Sequence, residues 1–385
     1  RPLRNGTGVT TAPGEASGSP EPPFVTVVIP VRNEARSIAE CLRAVGAQDY
    51  PPERLEVFVV DGGSHDGSRE IVERTAGADA RFRHLDNPGG LVPAALNRGL
   101  RAARGDIFLR IDAHTIVAPD YVRRCVERLL ASGAENVGGP MSPQGRTLLG
   151  EGIAAAMHCR FGVGPARFRY AREVEEVDTV YLGAFPRRLF DRIGEFNEAM
   201  VRNQDYEMNY RIRRAGGRIL VDPAIRSTYL VRPDLPSLWR QFGSYGYWKA
   251  QMLRRHPRSL RPRQLAAPAL VAALGIGGLA SLASLFSTFL PASGRWLFVA
   301  VAALYLAASL GVSCAVAARR GLRAALALPA VFATMHLAWG GGFWIGALFP
   351  PRASEPTAPS GAPAPSEPAA KPPLPAIPGS GRGST

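Results

Sequence analysis

Cysteine is scarce in this sequence. Cys41, Cys125, Cys159 and Cys314 form no CxxC pair and no dense framework. That excludes a disulfide-stapled scaffold and fits a reducing compartment for the soluble part. No zinc-finger spacing and no aromatic-rich RNA motif occurs, so nucleic acid is set aside as a partner despite a formal net charge of +14. An excess of that sign also suits an anionic membrane surface or a phosphorylated substrate. No N-terminal apolar segment of signal-peptide type opens the chain, and no internal repeat marks a solenoid. With 385 residues, 46% of them hydrophobic, there is enough chain for one large domain and a smaller region.

What is present centres on GDIFLRIDAHT, residues 105–115. Ile107, Phe108, Leu109 and Ile111 form an apolar run of buried-strand length. It ends in Asp112-Ala113-His114, a carboxylate and an imidazole two residues apart where a strand leaves a sheet. Such a pair can share a divalent cation. The carboxylate suits Mg²⁺ or Mn²⁺, and the imidazole tilts the choice to Mn²⁺. A metal at a strand end is what neutralises a departing diphosphate.

Taken in order, residues 1–23 are rich in Gly, Pro, Ser and Thr and read as disordered. Residues 24–30 form a central strand ended by Pro30, and a helix is expected over 37–47 with Ile38, Leu42 and Val45 on one face. Leu55–Asp61 is a second buried strand. It leads into a Gly-rich loop and a helix over 69–75, which Asp66 or Ser68 can cap. Helices are expected over 92–103 and 120–130, and a short strand over 136–141. Residues 142–173 have no clear pattern, and part of them is expected to be mobile near the site. His158, within them, reads as structural or exposed. A strand over 178–182, a helix over 186–193 and a helix opened by Asn203-Gln204-Asp205 and stopped by Gly216-Gly217 follow. Ile219–Val221 and residues 227–231 are closing strands. Alternating strands and helices predict an α/β fold with a mainly parallel sheet. Ligands sit outside the carboxyl ends of such strands, where Glu34, Asp61 and Asp112 all fall. Taken singly, Asp61 fits a loop cap as well as a ligand contact, and Asp205 fits a first-turn helix acid.

Residues 236–264 mix aromatic and basic side chains, as an amphipathic segment at a membrane interface does. Three uncharged apolar stretches follow over 265–290, 296–318 and 326–349, each about 23 to 26 residues and long enough to span a bilayer. Arg254, Arg255, Arg258, Arg261 and Arg263 precede the first, and Arg319, Arg320 and Arg323 separate the second from the third. The positive-inside rule puts the domain over 24–235 in the cytosol. Three spans would send the Pro/Ala-rich tail over 350–385, expected to be disordered, to the other side.

VVIPVRNE, VVDGGSHDGS, NRGLRAARGD, DAH and NQDYE, in this order across residues 24–249, resemble the family 2 glycosyltransferases. The chain is similar in particular to bacterial succinoglycan-type exopolysaccharide glucosyltransferases. The resemblance implies a GT-A fold and transfer from a nucleotide-diphosphate sugar. By it, Pro30, Arg32, Glu34 and Asp61 line the nucleoside pocket, with Asp61 on the base. Asp112 and His114 take the place of the family's Asp-x-Asp metal motif, and Asp205 matches the general base. Asn97 and Gln204, within the quoted motifs, and Arg110, two residues before DAH, join them as substrate-contacting candidates. The second acidic position of Asp-x-Asp is His114 here. Residues 241–245 only begin like the Gln-x-x-Arg-Trp of processive synthases, so transfer of one sugar is expected. The expected function is inverting transfer, from a UDP-sugar by the resemblance, to a lipid-linked saccharide at the cytosolic face of the cell membrane. The alternatives are transfer to polyprenyl phosphate itself, or a non-catalytic membrane scaffold that keeps the nucleotide-binding shape.

Overall fold

The computed structural model describes residues 21–286 and 293–350. Most of the N-terminal segment and the tail expected to be disordered lie outside these residues. The first half of the chain alternates as expected: β1 (Val25–Val31), α1 (Ile38–Gly46), β2 (Leu55–Asp61), α2 (Ser68–Ala78), β3 (Phe82–Asp86), α3 (Val92–Ala102) and β4 (Ile107–Arg110). Every residue of β2 and β4 is buried, because helices cover both faces of the sheet. The buried face of α1 is Ile38, Cys41, Leu42 and Val45, one stripe at helical spacing. β3 was not legible in the sequence. It is the edge strand, and of FRHLD only Phe82 is buried.

The second half is less regular. It runs β5 (Thr115–Val117), α4 (Tyr121–Ser132), β6 (Asn136–Gly139), β7 (Met141–Gln144), α5 (Leu148–Met157), α6 (Arg160–Val163), β8 (Glu175–Glu176) and β9 (Tyr181–Pro186). Then come α7 (Arg188–Ile193), α8 (Gln204–Arg214), β10 (Ile219–Val221) and β11 (Ser227–Leu230). The main sheet has the order β3-β2-β1-β4-β9-β6-β10-β8, and a small sheet has the order β5-β11-β7. β1 to β4 are mutually parallel, while β9 runs antiparallel to β4 and β6. The strand expected over 178–182 is therefore displaced to β9. Leu182 and Gly183 both adopt positive φ, 62° and 134°, a local backbone that residue type does not announce at Leu182. Residues 142–173, without a pattern in the sequence, supply β7, α5 and α6.

Alternation along β1 places Val25, Val27 and Ile29 in one core layer with α1 and α4. Val28 joins the other, with Phe58, Phe108, Phe185, Phe190 and Phe196. The Phe108 ring meets Phe190 edge-on at 5.3 Å.

The C-terminal region comprises α9 (Leu235–Arg255), α10 (Ala266–Phe286), α11 (Ser293–Arg320), α12 (Leu322–Leu326) and α13 (Leu328–Leu348). Among the described residues three helices are long and apolar enough to cross a membrane, over Pro262–Ser284, Arg295–Arg319 and Leu328–Leu348. The segment expected as interfacial does not stand free. α9 puts Leu238 and Phe242 into the first core layer and packs along α13. A Cβ on Gly246 would lie 1.9 Å from the Trp339 carbonyl oxygen, and one on Gly342 would lie 2.0 Å from that of Gly243. Only glycine permits this approach.

Candidate active site

β4 carries the site to the carboxyl edge of the sheet. Its last residue, Arg110, is buried and donates from Nε to Asp112 Oδ1 at 2.8 Å. Burial alone would raise the Asp112 pKa. The charges of Arg110, His114 and Arg202 hold it below the usual carboxylate range instead. Burial works against the Arg110 proton, and the charges of Asp112 and Asp205 more than restore it. Among the described residues Arg110 Nη1 finds no hydrogen-bond partner although it is buried. A buried guanidinium nitrogen without an acceptor is a place for a ligand oxygen.

His114 turns its Nδ1 towards Glu34 Oε1, 3.2 Å away, within ion-pair range but off hydrogen-bond geometry. Its ring meets Tyr229 edge-on at 5.1 Å. Burial would raise the Glu34 carboxyl, but His114, Arg232 and the Ser37 hydroxyl hold it low. Glu34 is fixed from behind, its backbone N–H donating to Ser68 Oγ at 2.8 Å. Glu34 therefore belongs with His114, beside the metal candidates.

Asp61 closes β2, opposite Val31 of β1. It is buried and accepts the Ser64 N–H at 3.2 Å and the Ser64 hydroxyl at 2.5 Å, which fixes the turn of the Gly-rich loop. Pro30 lies on the neighbouring strand end, and the exposed Arg32 reaches the Gly90 carbonyl at 3.5 Å. Asn97 is not gathered with these residues, which corrects its placement as a substrate contact. Its Oδ1 accepts the Phe196 N–H at 2.9 Å, and its Nδ2 donates to Phe196 O at 2.9 Å and Glu198 Oε1 at 2.8 Å. With its amide so occupied and 2% exposed, Asn97 pins the segment before α8.

That segment ends in Asn203, whose φ of 60° turns the chain into α8. Gln204 and Asp205 open the helix and face the same cavity as Arg110, Asp112 and His114. The cavity measures about 1060 Å³. Its far wall is apolar and comes from the membrane region, with Leu270 of α10, Tyr305 of α11 and Met335 and Trp339 of α13. Pro30, Arg32, Glu34, Asp61 and Asn97 lie outside its lining.

Cations line the cavity between these two ends: Arg160, Arg169, Arg202 and Arg232, which the sequence did not disclose, with Arg240, Lys249 and Arg263 of the basic segment over 236–264. They are scattered over a hundred residues and follow no local pattern. Among the described residues Arg169 donates only to the Met157 carbonyl at 3.5 Å and the Met141 sulfur at 3.3 Å, and lies over the Phe168 ring. No carboxylate comes within ion-pair range of Arg160, Arg169 or Arg202 among the described residues. Lys249 donates to Ser259 O at 3.1 Å and sits 4.5 Å over the Tyr206 ring, and burial lowers its pKa to about 7.

Among the described residues no three His, Cys, Asp or Glu side chains converge on a closed metal cage. A hard carboxylate and an imidazole at the cavity edge do fit an open site, in which phosphate oxygens of a substrate supply further ligands.

The family model for Glycosyl transferase family 2 matches residues 26–148. The succinoglycan biosynthesis protein ExoA of Rhizobium meliloti (strain 1021) is 32% identical over 322 residues, covering 83% of this chain and 93% of ExoA. The chain belongs to glycosyltransferase family 2. A second relative is the dolichyl N-acetyl-alpha-D-glucosaminyl phosphate 3-beta-D-2,3-diacetamido-2,3-dideoxy-beta-D-glucuronosyltransferase of Methanococcus voltae. It is 27% identical, with 60% of this chain and 74% of the relative covered. Among solved structures, the mannosyltransferase PcManGT from Pyrobaculum calidifontis, in complex with GDP-Man and Mn²⁺, superposes with a TM-score of 0.53. That match has 24% identity and covers 86% of this chain and 89% of the neighbour. It supports the GT-A fold.

Proposed function

We propose that this chain is a membrane-anchored, inverting glycosyltransferase that moves one sugar from a nucleotide-diphosphate sugar, a UDP-sugar by preference, to a lipid-linked saccharide. The observation that carries this reading is the single cavity running from Asp112 and Asp205 to the apolar side chains of α10, α11 and α13. A polar donor enters at one end, and the other end offers hydrocarbon.

Pro30, Arg32 and Asp61, at the ends of β1 and β2, hold the nucleoside. The Gly-rich loop that Asp61 fixes brings backbone close to it. Asp112 and His114 would hold one Mn²⁺ or Mg²⁺, which supplies charge neutralisation for the leaving diphosphate. Glu34 orients His114 through its Nδ1 side. Arg110 Nη1 is free to meet a donor oxygen, and Gln204 fixes the sugar from the opposite wall.

Asp205 receives the proton of the acceptor hydroxyl as the new bond to the anomeric carbon forms. A carboxylate is a weak base for an alcohol, and it serves here because the proton moves late. Arg169, without a carboxylate partner, attracts the acceptor's phosphate. The catalytic domain faces the cytosol, where nucleotide sugars are made. Relatives such as the dolichyl-phosphate enzyme and ExoA support a lipid-linked acceptor in cell-envelope or exopolysaccharide synthesis.

The test incubates membranes containing the protein with a panel of nucleotide sugars and Mn²⁺, offering lipid-linked saccharide or lipid phosphate as acceptor. Mass spectrometry then identifies the lipid products. Extension of the saccharide by one sugar supports the reading. Transfer only to lipid phosphate replaces the acceptor, and no transfer from any donor overturns the reading.

A further inference from the structure

Length and composition qualify three helices to cross a membrane, but they are not packed alike. In the most apolar stretch of α10 and of α11, 11% of residues are buried, against 44% in α13. Mean hydropathy falls from 1.9 and 2.2 to 1.2. α13 also shares the core of the catalytic domain, with Leu328, Val331, Phe332, Met335 and Ala338 in one cluster with Val25, Val27 and Ile29. A helix that crosses needs an apolar flank facing lipid over about 30 Å.

The direction of α13 follows from its contacts. α10 and α11 form a hairpin in which Gly277 meets the backbone of Phe298. In an antiparallel pair, seven residues back along one helix and seven forward along the other stay level. Leu270 is thus level with Tyr305. Along α13, His336 Nδ1 bonds Tyr305 Oη at 2.9 Å, Gly340 packs on the Ala267 carbonyl and Val271, and Trp344 donates to Pro268 O at 2.9 Å. The eight steps from His336 to Trp344 cover about 12 Å of helix at 1.5 Å per residue. They meet the hairpin within residues 267–271, a span of about 6 Å, and at Tyr305, level with Leu270. A helix running beside the hairpin would climb it by the same 12 Å. α13 instead passes across it.

α9 runs parallel to α13 along this line. Gly243 faces Gly342, Tyr247 faces Gly346, and Gln251 Nε2 donates to Gly346 O at 2.7 Å. His336 Nε2 joins the Phe161 carbonyl of α6 at 2.9 Å, tying the middle of α13 to the catalytic domain.

We infer that only α10 and α11 cross the bilayer. α13 lies with α9 across the base of that hairpin as a platform at the lipid surface, so the end of α13 at Leu348 is on the side of the catalytic domain. The exposed apolar residues at the end of α13 (Trp344, Ile345 and Leu348) dip into the acyl boundary. The neighbouring Arg254, Arg255 and Arg258 face anionic headgroups. The platform seats the cavity mouth at the level where a lipid-linked substrate presents its headgroup. That last point rests on the proposed function, whereas the number of crossings does not.

The test replaces Cys41, Cys125, Cys159 and Cys314, then introduces single cysteines by Ser64→Cys, Ser293→Cys or Ser366→Cys, the last beyond the described residues. A membrane-impermeant thiol reagent is applied to intact cells and to opened ones. Ser293→Cys should react in intact cells, while Ser64→Cys and Ser366→Cys react only after opening. Ser366→Cys on the side opposite Ser64→Cys would mean three crossings and overturn the inference. Ser293→Cys on the same side as Ser64→Cys would remove the hairpin and overturn it too. If Ser64→Cys and Ser366→Cys both react in intact cells and Ser293→Cys does not, the cytosolic orientation fails and the two-crossing count stands.

Discussion

At the sheet end of the cavity, cations and carboxylates alternate: Arg110 with Asp112, His114 and Arg232 with Glu34. At the end formed by α6, α9 and α10, Arg263 pairs with Asp178, but among the described residues Arg160 and Arg169 have no carboxylate in ion-pair range, and Lys249 bonds a backbone carbonyl instead. The first arrangement is nearly neutral before substrate arrives, so it can hold a metal and a diphosphate together without a large excess of either sign. The second keeps the positive charge of Arg160 and Arg169 uncompensated beside an apolar wall. Such charge is costly to hold and is relieved by an anion. In the proposed function the first is the donor end and the second the acceptor end of one cavity, and each can be broken without the other.

The largest effect is expected where the two ends meet. Asp205→Asn keeps size and most hydrogen bonding but cannot take the proton. Transfer should fall by about 10² to 10⁴-fold, the usual contribution of a positioned base, while nucleotide binding measured by calorimetry stays unchanged. An undiminished rate would leave Asp205 as a helix-terminus acid only.

Next comes the donor end. Chelation of divalent ions should abolish transfer, and Mn²⁺ should restore it at least as well as Mg²⁺. Asp112→Ala should weaken metal-dependent nucleotide binding, and His114→Asp should stay active with its preference moved towards Mg²⁺. Full transfer in excess chelator would refute the metal assignment.

At the acceptor end, Arg169→Ala should raise the acceptor KM by about 10- to 100-fold. That range corresponds to one charge-assisted hydrogen bond of about 1.5 to 3 kcal/mol. Nucleotide affinity should not change. A rise in nucleotide Kd instead would merge the two ends into one site.

The smallest effect concerns stability. The Lys249 pKa of about 7 lies below its unfolded value of about 10.4. Between these values the unfolded chain binds a proton that the folded chain lacks, so stability rises with pH across that window. Lys249→Met removes this term. Thermal unfolding at pH 7 and pH 9 should show the wild type gaining on the variant at the higher pH. A difference independent of pH would mean that Lys249 keeps its charge in the fold.

Much of the first half of the α/β domain was legible because its signals are local. β1, β2 and β4 are short apolar runs ended by polar residues, and α1 shows its buried stripe at helical spacing. β3 escaped because an edge strand has only one residue to bury, and β9 because its left-handed turn at Leu182 shifts the pairing. Asp112 and Asp205 stood out as acids at element ends. Asn97 read as a ligand contact from its motif, yet its partners Phe196 and Glu198 lie a hundred residues away.

The sequence by itself determined the α/β alternation, the family, the acids at strand and helix ends, and the apolar stretches of the anchor. Each of these is a property of residues within one or two turns of each other. Only the tertiary structure decided that Glu34 pairs with His114, that seven scattered cations join Arg110 in one cavity, and that α13 lies across the α10–α11 hairpin rather than beside it. Charge pairing and helix direction depend on which surfaces meet in space. An apolar helix of spanning length buries its side chains equally well against lipid or against a catalytic domain.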